Sequence, residues 1–141
     1  MDGASSAPPP RRHGLWYWLP AVAWAAAILY FTSIPDPYAL TGLHGTTASD
    51  LWAHGLCFLV LFLLVARWMG HPTRRNPQRA IAYAAFLCLA FAVLDEVHQI
   101  PIPGRSFEWV DLFLDGAGVA AGGMATLAYG ARKRADGRPR G

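Results

Sequence analysis
The sequence predicts an all-α membrane protein, a four-helix transmembrane bundle with both termini cytoplasmic, and three observations predict it. The 141-residue chain is 54% hydrophobic and only 15% charged, whereas a soluble domain carries about 25% charged residues. Four stretches of roughly 20 residues are almost free of charge except near their ends, the length a helix needs to cross about 30 Å of hydrocarbon. The positive charges alternate between the connecting segments. This composition excludes a disordered chain and a coiled coil, and two cysteines make no disulfide framework.

The first span, residues 15–34, has no charged residue, opens on Trp16, Tyr17 and Trp18, and stops at Ile34-Pro35-Asp36-Pro37, where the residue before proline is pushed out of the helical region. A cleaved signal peptide is the rival reading of this stretch, because Arg11 and Arg12 precede it; its apolar run is too long for a signal core. The second span, residues 49–69, contains LCFLVLFLLVA, apolar on every face, with Arg67 and Trp68 at its far end able to snorkel. The third, residues 78–98, follows Asn76-Pro77, runs through AIAYAAFLCLAFAVL and ends at Asp95-Glu96-Val97-His98-Gln99 before Pro101 and Pro103. The fourth, residues 107–129, carries Asp111 and Asp115 in its first turns and then the small-residue run GAGVAAGGMA. Residues 1–14 read as a disordered cytoplasmic tail and residues 130–141 as a basic cytoplasmic tail.

Eleven of the twelve Lys and Arg residues lie in the two tails and the middle loop, and only Arg105 lies in the other two loops. The positive-inside rule then places the tails and the middle loop in the cytoplasm of a multi-pass inner or plasma membrane protein. Net charge +3 is thereby a topology signal, which removes nucleic acid as a partner and makes anionic lipid of the bilayer the partner of these arginines. Seven of nine acidic residues, Asp36, Asp50, Asp95, Glu96, Glu108, Asp111 and Asp115, fall on the outer side.

Among these, Asp50 and His54, Asp95 with His98 and Gln99, and Asp111 and Asp115 are three or four apart, so each set shares a helical face. Ionisable groups at this depth are costly and face a bundle interior or a polar cavity. Three such faces at one depth predict a shared acidic pocket with Arg105 as its cap. Asp50, His54, Asp95 and His98 can ligate a divalent metal, with Asp115 behind them, although no HExxH or CxxC spacing supports a cofactor. The bland alternatives stand beside this. Asp50 can cap the second helix, Asp111 can complement the dipole of the fourth, and the whole set can be a network that locks the helices without a ligand. Gly118 and Gly122 form a GxxxG, a close-approach face for another helix of this chain or of a second copy.

The segment DEVHQIPIPGRSFEWVDLFLDGAGVAAGG, residues 95–123, resembles the motif of the VanZ-like family of bacterial membrane proteins. Asp95, Glu96, Gln99, Pro103, Gly104, Arg105, Asp111, Asp115, Gly118 and Gly122 match it, and Asp50 with His54 matches the family's first motif. Leu51 stands where relatives commonly have Lys, and Asp115 where Asn is frequent, so the pocket is more acidic here, which favours a bound cation or a protonated carboxyl. The resemblance implies a cell-envelope role, the founding member being associated with resistance to the glycopeptide teicoplanin. A phosphotransbutyrylase label carried by some relatives has no counterpart in this chain, which shows no nucleotide loop. Two functions are therefore expected: a membrane protein binding a lipid-like or glycopeptide ligand, or an intramembrane hydrolase or transferase acting on a lipid-linked phosphate or ester.

The orientation is tested by reporters fused after Leu43 and after Pro72, which should report the outer and the cytoplasmic side respectively. Signals from the same side would overturn it.

Overall fold
The computed structural model contains α1 (Leu15–Thr32), α2 (Thr47–Gly70), α3 (Pro77–Gln99) and α4 (Trp109–Ala135). It describes residues 15–35, 47–70, 76–103, 105 and 107–137, with side chains for all of these except 15 and 47–51. Expectations about the N-terminal tail, the last four residues and the Asp50 side chain lie outside the described residues. No strand occurs among the described residues, so the all-helical bundle expected from the sequence is the fold found. Pro77–Gln99, Trp109–Ala135 and the Trp52–Gly70 part of α2 are each long and apolar enough to cross a membrane, whereas α1 is a shorter apolar helix. Its 18 residues extend about 27 Å. The helix ends at Thr32 because Ile34 precedes Pro35 and turns out of the helical path.

Local signals set the other boundaries. Asn76 caps α3, its side chain accepting the Arg79 amide at 3.2 Å, and Pro77 takes the first helical position, where a missing N–H costs nothing. α4 itself continues to Ala135, past the span expected over residues 107–129. Leaving hydrocarbon does not stop a helix, and Arg132, Lys133 and Arg134 in the last turn complement its dipole. It stops where Asp136 caps it and Gly137 turns left-handed at φ 63°.

Burial is inverted relative to a soluble bundle. Phe86, Leu94 and Phe113 are 68%, 64% and 75% exposed, while Asp95 and Asp115 are fully buried. Facing lipid, those outward apolar side chains are in their own solvent. The exposed Trp16, Trp52 and Trp109 sit near helix ends, where indole rings favour the membrane interface.

Since lipid removes the hydrophobic drive for helices to associate, close packing must hold them. The inner stripe of α3 is Ala80, Ala84, Cys88 and Ala92, one small residue per turn, and Ala84, Cys88 and Ala92 share a core cluster with Phe58, Leu61, Phe62 and Val65 of α2. Cys88 is thus a packing residue, and Cys57 contributes its carbonyl, which accepts the Trp24 indole N–H at 3.0 Å. α2 and α3 each contact both outer helices, while α1 and α4 do not meet among the described residues. The tightest seam joins α2 and α4. A Cβ on Gly118 would run into the Gly55 carbonyl oxygen and come within 3.0 Å of the Leu59 amide nitrogen, and one on Gly122 would lie 2.6 Å from the Phe62 ring. The GxxxG is consumed within the chain.

Replacing Gly118 with Ile should destabilise the purified protein by about 1–3 kcal/mol or more, read as a lower melting temperature in detergent. Gly130→Ile, where a Cβ meets nothing within 4 Å, should leave it nearly unchanged.

Candidate functional site
The up-and-down order brings the C-terminal ends of α1 and α3 together with the N-terminal ends of α2 and α4. Asp95, Glu96, Asp111 and Asp115 lie at that end, while Arg67, Arg79, Arg132, Lys133 and Arg134 occupy the other. The polar end has two halves, joined by the adjacent residues Asp95 and Glu96 of α3.

The first half ties α1 to α3. Thr32 donates its hydroxyl to Asp95 Oδ1 at 2.7 Å, with the Ile28 carbonyl as its alternative acceptor at 3.1 Å. Ser33 Oγ and His98 Nε2 are 2.9 Å apart in an exposed contact. After α3 the chain turns twice, with the Ile102 amide on the Gln99 carbonyl and the Arg105 amide on the Ile102 carbonyl, each at 3.0 Å. This doubling back returns the Arg105 guanidinium to the bundle. Its Nη2 donates to the Ile34 carbonyl at 3.2 Å, with Nε at 3.4 Å, and its Nη1 donates to Gln99 Oε1 at 3.1 Å.

The second half ties α2 and α3 to α4. His54 lies between the carboxylates of two successive α4 turns, Nδ1 at 3.2 Å from Asp115 Oδ1 and Nε2 at 3.5 Å from Asp111 Oδ2. Glu96 Oε2 accepts the backbone amide of Glu108 at 2.8 Å, and its Oε1 accepts from Gln99 Nε2 at 3.3 Å. Glu108 is the first residue of the α4 cap and makes no side-chain cap bond. Glu96 thus does across two helices what the glutamate of a capping box does within one. Asp95 Oδ2 and Asp115 Oδ2, both buried, have no hydrogen-bond partner. The centre reaches the surface through His54 and Asp111, whose side chains keep 15% and 19% of their exposure.

Of the residues proposed from the sequence, His54, Glu96, Asp111 and Asp115 come together, with Gln99 and Arg105 linked to them through Glu96. Asp95 is next in sequence but turned to Thr32. His98 stands apart on the exposed face of α3: at about 100° per residue it lies roughly 200° from Glu96. The metal set Asp50, His54, Asp95 and His98 is therefore not assembled among the described side chains. Instead His54, Glu96 and Asp111 each offer a ligand atom, all within 4.8 Å of one another. The sequence reading missed Thr32, Ser33 and the Ile34 carbonyl; the signal available was a hydroxyl pair closing α1 at the depth of Asp95.

A helical bundle with apolar faces outward and an ionisable cluster buried at one end defines an integral membrane protein built around an intramembrane polar site. The chain belongs to the VanZ/LLP1 family, whose profile matches residues 17–129. No curated protein and no solved structure matches the chain.

Arg105 holds two chain segments by a fork that lysine cannot reproduce. Arg105→Lys should therefore lower stability by about 1.5–3 kcal/mol, measured by thermal unfolding in detergent. His98→Ala, at an exposed contact, should stay within about 0.5 kcal/mol of wild type.

Proposed function
We propose that this VanZ-like protein is a binding protein of the cell envelope. Its acid-rich end lies at the outer leaflet and receives the polar, cation-bearing headgroup of an amphiphile. By occupying that surface it changes the access of glycopeptides such as teicoplanin to the cell. The observation that carries this reading is the pair of buried carboxylates, Asp95 and Asp115, each with an oxygen that no protein group satisfies. Such groups are expensive in a membrane, and a bundle that needed only helix packing would be more stable with apolar residues there. Negative charge also exceeds positive at this end: Asp95, Glu96, Asp111 and Asp115 face one permanent cation, Arg105, and that cation is committed to Ile34 and Gln99. A cation carried in with that headgroup past His54 and Asp111 supplies the missing charge.

A second reading, an intramembrane hydrolase or transferase acting on a lipid-linked phosphate or ester, draws on His54. With Asp115 orienting its Nδ1, Nε2 serves as the proton acceptor of a general base. Turnover of a lipid-linked phosphate by purified protein, lost in His54→Ala, would favour it over binding alone.

Expression of wild type in a teicoplanin-susceptible cell should raise the inhibitory concentration. Asp95→Asn and Asp115→Asn should each return it to the empty-vector value at unchanged membrane levels, and Gln78→Ala at the opposite end should not. Wild-type protection retained in both Asn variants would overturn the reading. Loss of insertion in both would support a helix-locking role in its place.

A further inference from the structure
We infer that His54, Glu96 and Asp111 form a site for one divalent transition-metal ion, with Asp115 holding His54 from behind. The inference rests on reading this end of the bundle as a binding site, and it names the cation that the site takes.

The geometry comes from three helices. His54 of α2, Glu96 of α3 and Asp111 of α4 each present one ligand atom, and these lie within 4.8 Å of one another. Two ligand atoms about 2.1 Å from a common metal are about 3.0–3.4 Å apart at octahedral or tetrahedral angles. The 3.5 Å between His54 Nε2 and Asp111 Oδ2 is near that spacing and beyond the usual 2.7–3.2 Å of an N–H···O bond. Glu96 already accepts one hydrogen bond at each oxygen, and a carboxylate oxygen has a second lone pair for an ion.

The arrangement around His54 is that of a ligating histidine. Its Nδ1 faces Asp115 Oδ1 at 3.2 Å; with Nδ1 donating there, Nε2 is the nitrogen that would face an ion, the carboxylate–histidine pairing found behind metal ligands. Independently of those contacts, Asp115 is fully buried and its Oδ2 has no partner. Standing behind His54, that oxygen is not reached by the ion itself, and a water bound with the ion is the donor that would complete the carboxylate. Three carboxyl groups and an imidazole within one apolar bundle also give a divalent ion enough acidic ligands to offset its charge. One nitrogen and two carboxylate oxygens suit Mn²⁺ or Zn²⁺. Three protein ligands leave coordination positions open at the partly exposed side formed by His54 and Asp111, where a phosphate or carboxylate of a bound molecule can complete the shell.

The test uses the full chain purified in detergent, stripped with a chelator and titrated calorimetrically with Zn²⁺ or Mn²⁺ alone. Wild type should bind one ion per chain at micromolar or tighter affinity. His54→Ala and Asp111→Asn should abolish saturable binding, and Asp115→Asn should weaken it about 10–100-fold. Helical content and gel-filtration profile should stay those of wild type, and Gln78→Ala should bind normally. Absence of saturable binding in wild type would overturn the inference, as would undiminished binding in folded His54→Ala and Asp111→Asn. Binding lost in Asp95→Asn and His98→Ala but kept in Asp111→Asn would also overturn it, in favour of the other carboxylate–histidine set. The outcome is separable from that of the proposed function. Ion binding without any effect on teicoplanin susceptibility removes the glycopeptide reading alone, and susceptibility that depends on Asp115 without ion binding removes the metal alone.

Discussion
A carboxylate can sit inside an apolar bundle only if the protein brings donors to it, because the surrounding lipid offers none. Asp95 and Asp115 impose that constraint, and much of this structure answers it. Thr32 from α1 serves Asp95, and His54 from α2 serves Asp115. Through the neighbouring Glu96 the start of α4 is fixed to α3, and through Arg105 the end of α1 is fixed to the loop that follows α3. Each helix supplies a partner or a carboxylate. The acidic residues therefore specify which helix ends meet, a role that apolar packing performs poorly when lipid competes equally for every apolar surface.

The helices can satisfy those groups only by approaching closely, and small residues make that possible. α3 presents one small side chain per turn below Asp95 and Glu96, so the ladder that packs the helix also sets the rotation at which its carboxylates point inward. Aromatic residues act from the other side of the same contacts. Phe58 and Phe62 of α2 are almost fully buried and fill the volume that the alanines and glycines leave open.

The number of helices, their type and their outward apolar faces were legible in the sequence, because uncharged runs near 20 residues have few other readings. The polar cluster was legible in outline: i, i+3 and i, i+4 spacings placed His54, Asp111 and Asp115 on facing surfaces. Its division was not. Asp95 and Glu96 are adjacent, and only the azimuth of α3, set by Ala84, Cys88 and Ala92, decides that one turns to α1 and the other to α4. Spacing alone gave His98 the same standing as Gln99, but about 100° of rotation separates a buried side chain from an exposed one. The role of Glu96 as a cap for α4 was also hidden, since it depends on how a loop with Pro101 and Pro103 folds back. The far end of α4 was not legible, because charge marks the edge of hydrocarbon, whereas a helix ends where its last carbonyls find a cap.

Packing and chemistry are coupled most tightly along α4. Asp111, Asp115, Gly118 and Gly122 recur at intervals of four, three and four residues, the spacing of one continuous helix face. On α2, His54 immediately precedes Gly55, whose carbonyl lies against Gly118. The separation of the two helix axes at Gly118 is therefore also the separation across which His54 reaches Asp115, one turn away. Widening that seam by a single methyl group would move the imidazole away from both carboxylates, even though neither glycine touches the site. A 3.2 Å contact between His54 and Asp115 thus depends on the backbone packing as well as on the attraction of the two groups. For the same reason, substitutions at the glycines and at the carboxylates should not act additively, because both change one distance.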